Sequence, residues 1–73
     1  MTTRSEHLEW CKERALEYVE IGELEQAYGS MASDLRKHPE TENHSAIQIG
    51  MMLLLGGRLN TAQKMREFIE GLR

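Results

Sequence analysis

The sequence has 73 residues, which is room for one domain, and a domain that small buries only about 60% of the surface its unfolded chain exposes. Charged residues make up 29% and hydrophobic residues 40% of the chain, which is globular rather than disordered composition. A net charge of −3 argues against a concentrated basic face for nucleic acid. A single cysteine, Cys11, excludes an intrachain disulfide and fits a reducing compartment. The N-terminal ten residues carry no secretory pattern.

Thr3-Arg4-Ser5-Glu6 reads as a capping box with Thr3 as N-cap and Ser5 as the alternative. Leu8, Cys11, Ala15 and Val19 then follow at helical spacing as far as Gly22. A second helix is expected from Glu23 or Glu25 to Lys37, with a stripe of Leu24, Ala27, Tyr28, Met31 and Leu35. Pro39 stops it, because a residue before proline is pushed out of helical geometry. Residues 39–45 form a loop. Asn43 or Ser45 is expected to cap a third helix that runs to about Leu55 and is apolar nearly all round. Its stretch 47–55 is too short for the roughly 20 residues that span a bilayer. Such a helix is expected to sit centrally, packed by the other three, or to be covered by a second subunit. Asn60 or Thr61 caps a fourth helix from Ala62 to Glu70, with Ala62, Met65, Ile69 and Leu72 as its stripe.

The two halves echo each other. Gly22-Glu23-Leu24-Glu25-Gln26-Ala27 and Gly57-Arg58-Leu59-Asn60-Thr61-Ala62 share G-x-L-x-x-A at an offset of 35 residues, which also pairs Ala15 with Gly50 and Tyr18 with Leu53. The fold expected is all-α: four short helices as two antiparallel helical hairpins, at residues 4–38 and 46–72, in one domain. The pattern resembles the tetratricopeptide (TPR) repeat, whose period is 34 residues. Ala15, Tyr18, Gly22, Leu24, Ala27 and Pro39 fall at that family's small, aromatic, glycine, large apolar, alanine and proline positions. The second half matches only at Gly50, Leu53, Gly57, Leu59 and Ala62. A small four-helix bundle satisfies the same pattern, and two repeats fall short of the usual three, so self-association or a partner is expected.

Three strings carry a second resemblance: 8–18 (LEWCKERALEY), 30–41 (SMASDLRKHPET) and 65–71 (MREFIEG). They resemble a group of short uncharacterised bacteriophage-encoded proteins. That resemblance implies the cytoplasm of a host cell and brings no activity.

Catalytic and metal chemistry find little support. His7 and Cys11 share one helical face, and His38 and His44 could complete a zinc set, but a packed thiol with surface histidines explains them as well. Asp34, His38 and Ser33 gather at one helix end without the strained turn a nucleophile needs. Glu9, Glu13, Glu17 and Glu20 read as a solvated face. Gly56-Gly57-Arg58 lacks the ending of a phosphate loop. No cofactor or metal is expected, and the chain is expected not to be an enzyme. The expected function is protein–protein interaction, as a phage-encoded modulator of a host process, with Trp10, Tyr28, Met51 and Met52 as interface candidates. Residues 1–42 carry net charge −5 and residues 43–73 carry +2, a polarity suited to head-to-tail association or a charged partner. The alternative is a small nucleic-acid-associated regulator using Arg58, Lys64 and Arg66 beside or on the fourth helix; nucleic acid is the less favoured partner.

Overall fold

The computed structural model describes residues 3–73. Thr3 caps the first helix, α1 (Arg4–Glu20), in the expected box: the Glu6 N–H donates to Thr3 Oγ1, and the Glu6 carboxylate accepts from the Thr3 N–H. Three further helices follow, α2 (Leu24–Leu35), α3 (Ser45–Leu55) and α4 (Ala62–Glu70), with no strand among the described residues.

The first hairpin forms as its pattern dictates. Leu8, Cys11, Ala15 and Val19 from α1 meet Ala27, Tyr28, Met31 and Leu35 from α2 in the core. The helices run antiparallel, since His7 near the start of α1 touches Asp34 near the end of α2. Small residues at Ala15 and Ala27 let the backbones approach, and both are fully buried.

The turn between them repeats. Among the described residues Gly22 and Gly57 are the two with positive φ, at 81° and 74°. After α1, the Gly22 N–H bonds the Val19 carbonyl and the Glu23 N–H bonds the Tyr18 carbonyl. After α3, the Gly57 N–H bonds Leu54 and the Arg58 N–H bonds Leu53. These are the paired bonds of a Schellman ending, which needs a left-handed residue where glycine is least strained.

Beyond the turn the halves diverge. α4 packs against α1 and α2, and α3 packs chiefly against α2. The second half is therefore not a copy of the tight first hairpin. The expectation that α3 sits centrally among three helices is overturned. Only Ala46, Ile47 and Gly50 of α3 are buried, while Ile49, Met51, Met52 and Leu55 face outward. Ala62, placed on the α4 stripe by pattern, is exposed as well; Met65, Ile69 and Leu72 are buried.

Two helix ends differ from the sequence expectation for local reasons. α2 stops at Leu35, two residues before Lys37. The Thr41 hydroxyl folds back across the proline turn and donates to the Leu35 carbonyl, satisfying a helix-end acceptor and burying Thr41 completely. The cap of α3 is His44, not Asn43 or Ser45: its Nδ1 accepts the Ala46 N–H at 3.0 Å. Its Nε2 lies 2.8 Å from the Arg73 carbonyl, so a neutral ring with its proton on Nε2 serves both bonds.

Candidate interaction surface

α3 buries Ala46, Ile47 and Gly50, rests Leu53 and Leu54 against the core, and leaves its other residues exposed. On a helix, residues three and four apart share a face. Ala46 and Gly50 mark the inward face, where bulk has been removed. A Cβ placed on Gly50 would lie 2.7 Å from a Tyr28 ring carbon and 3.1 Å from the tip of Phe68. Tyr28 and Phe68 thus press on the α3 backbone, and the Tyr28 hydroxyl donates to the Ile47 carbonyl.

The opposite half of α3 carries large exposed apolar side chains beside Ser45 and Gln48. Met52 is 73% exposed and Leu55 80%, flanked by half-exposed Ile49 and Met51. Together they present on the order of 400 Å² of apolar surface, within the range at which an exposed patch marks a binding site. Residues 43–57 contain no Asp, Glu, Lys or Arg, so no charge breaks the patch. Two shallow grooves border it. Ala46, Ile49, Phe68 and Leu72 line one beside α4; Leu24, Leu54, Leu55 and Leu59 line the other at the C-terminal end of α3.

The interface candidates separate accordingly. Met51 and Met52 lie on this face, joined by Ile49 and Leu55, which the sequence reading did not single out. Tyr28 is only 6% exposed; its ring and hydroxyl are used inside the fold, so it leaves the interface set. Trp10 is 39% exposed and stands on α1, apart from α3. Its ring already has partners: the Arg14 guanidinium carbon lies 4.9 Å and Lys37 Nζ 5.5 Å from its centroid, and the His7 ring lies 5.4 Å away, tilted by 34°.

Those cations belong to a polar cluster that locks α1 to α2. Asp34 is almost fully buried, and its carboxylate accepts from Arg14 Nε at 2.7 Å and Lys37 Nζ at 3.0 Å. Burial pushes the Asp34 carboxyl up, but the hydrogen bonds and charges of Lys37 and Arg14 outweigh it and hold it below the ordinary carboxylate range. Burial, aided by the Asp34 charge, raises the Cys11 thiol to about 11, which keeps it protonated. His7 Nε2 donates to the Asp34 carbonyl, 2.7 Å away. The His7 and Asp34 groups that could suggest metal or triad chemistry are thus turned toward each other's helix. Among the described residues no group of three His, Cys, Asp or Glu side chains is placed to hold a metal.

Arg58, Lys64 and Arg66 are all exposed. Lys64 and Arg66 stand two positions apart on α4, so they project to different sides and do not make one basic row. Glu9, Glu13, Glu17 and Glu20 are exposed, with Glu9 3.6 Å from Lys12. Among the described residues no helix is long and apolar enough to cross a membrane.

No protein-family profile, curated protein or solved structure matches the chain.

Proposed function

We propose that this protein is a non-enzymatic protein-interaction module whose contact surface is the outer face of α3. One observation carries the reading: a helix without a charged residue that buries Ala46, Ile47 and Gly50 and leaves Ile49, Met51, Met52 and Leu55 exposed beside Ser45 and Gln48. Exposing Met52 and Leu55 gives the isolated chain no folding benefit, since burial of such side chains is the main favourable term in folding. A methionine-bearing surface adapts to its partner at little strain.

The finer reading of the fold, a degenerate pair of TPR-like hairpins, belongs to the same proposal. The 35-residue offset and the shared geometry of the Gly22 and Gly57 turns support it. The resemblance to short phage proteins supports a host-cell cytoplasmic setting and a role in modulating a host process.

The test is site-specific photo-crosslinking in cells, with a benzophenone amino acid at Met52 and, as control, at exposed Glu13 on α1. Position 52 is expected to yield discrete protein adducts and position 13 none. Adducts from neither position, or equal adducts from both, sink the reading.

A further inference from the structure

We propose that the occupant of the α3 face is a second copy of this chain, seated by antiparallel pairing of the two α3 helices about a two-fold axis. The proposal rests on α3 being the contact surface and names its partner.

Charge is the first argument. The chain carries −3 overall, so two copies repel unless they meet where charge is absent. Residues 43–57 are that place, with Glu67 and Arg73 at the edge of one bordering groove and Glu25 at the edge of the other. The ends of the helix add direction. Exposed Glu42 precedes α3 and exposed Arg58 follows it, at nearly equal distances from its middle. Antiparallel pairing brings the Arg58 of each copy toward Glu42 of the other; parallel pairing would set Arg58 beside Arg58. Opposed helix dipoles favour the same direction.

Size and shape agree. A two-fold contact needs one self-complementary patch. Here Met52 and Leu55 project as knobs, and the Ile49–Phe68–Leu72 and Leu24–Leu54–Leu59 grooves lie on either side to receive them. Two patches of about 400 Å² with their groove walls reach roughly 1,000 Å², the lower bound for a specific interface. Pairing on this scale is reversible and depends on concentration.

Sedimentation equilibrium of the full chain, from micromolar to submillimolar concentration, reads the pairing directly. The mass is expected to rise from one chain to two. The double variant Met52→Glu/Leu55→Glu, altered only at exposed positions, is expected to stay at one chain with an unchanged helical circular-dichroism spectrum. A wild-type mass of one chain throughout, or a doubled mass that survives both substitutions, overturns the proposal. The Met52 photo-adduct separates this failure from that of the functional reading. An adduct of two copies linked through α3 supports both. An adduct with a different protein and a monomeric chain overturns self-pairing and leaves the interaction module standing. No adduct overturns both.

Discussion

The two halves of this molecule begin from the same local code and end in opposite places. α1 and α2 take most of their large apolar residues inward and leave a charged face outside; α3 takes Ala46, Ile47 and Gly50 inward and leaves Met51, Met52 and Leu55 outside. The turn that follows α1 and the turn that follows α3 are alike to the hydrogen bond. The difference is what the neighbouring helices offer. α1 and α2 share a seam closed at one end by the Asp34 cluster and at the other by the Gly22 turn. α3 has one main neighbour, α2, and the Tyr28 and Phe68 rings fill the space where its larger residues would have packed. A repeated turn therefore does not imply a repeated environment.

The contrast breaks most sharply at methionine. Met31 is fully buried on α2, and Met52 is largely exposed on α3. In urea unfolding at concentrations too low for self-association, Met31→Ala is expected to cost about 3 kcal/mol, as deletions from packed cores do. Met52→Ala in the same solution is expected within about 0.5 kcal/mol of wild type. Equal losses at both sites would mean that the outer face of α3 is covered within the single chain.

A smaller effect tests the polar lock of the first half. Asp34 is held below its ordinary range in the folded state, so its stabilisation is present above the unfolded carboxylate value, about 4, and fades as pH falls through the lower folded value. Asp34→Asn is expected to cost about 1–2 kcal/mol at pH 7, limited because Arg14 and Lys37 can return to water. The gap between the two proteins should narrow as the pH is taken from 5 toward 2, read as melting temperature. A gap that widens in acid would reverse the assigned sign.

The smallest difference probes whether the halves unfold together. Nothing lies within 4 Å of a Cβ added at Gly22 or Gly57, and both have positive φ, so Gly22→Ala and Gly57→Ala are each expected to cost about 1 kcal/mol from backbone strain alone. Equal shifts of one cooperative transition tie α3 to the core. If Gly57→Ala leaves the main transition unmoved while hydrogen exchange in α3 accelerates, α3 opens as a separate unit.

Much of the fold was legible in short-range chemistry. The Thr3–Glu6 box, the glycine endings and the bounds of α4 follow from contacts within five residues, which sequence spacing encodes directly. The seam of the first hairpin was legible for the same reason: period 3.6 fixes a stripe, and a tight Gly22 turn lets it find only the next stripe. Thr41 was missed because its partner, the Leu35 carbonyl, reaches it only once the loop closes; His44 was missed because its bond to the Ala46 N–H needs an imidazole in a place where Asn and Ser are the usual caps, and its other partner, the Arg73 carbonyl, lies 29 residues away. The candidate surface was half legible. Met51 and Met52 were named as interface candidates and both are exposed, whereas Tyr28 read as an anchor because an aromatic on a stripe gives no sign of what covers it.

For α3 the sequence determined composition and tertiary structure determined direction. Ser45 and Gln48 are the polar residues of α3, both exposed on the side of Met52, and so few polar residues set only a weak preference of face by hydropathy. The choice falls to shape. Only the Ala46–Gly50 side admits Tyr28 and Phe68 at the approach observed, and that fit turns Met52 and Leu55 toward solvent. The small residues were present in the sequence, but the rings that make them decisive arrive from α2 and α4.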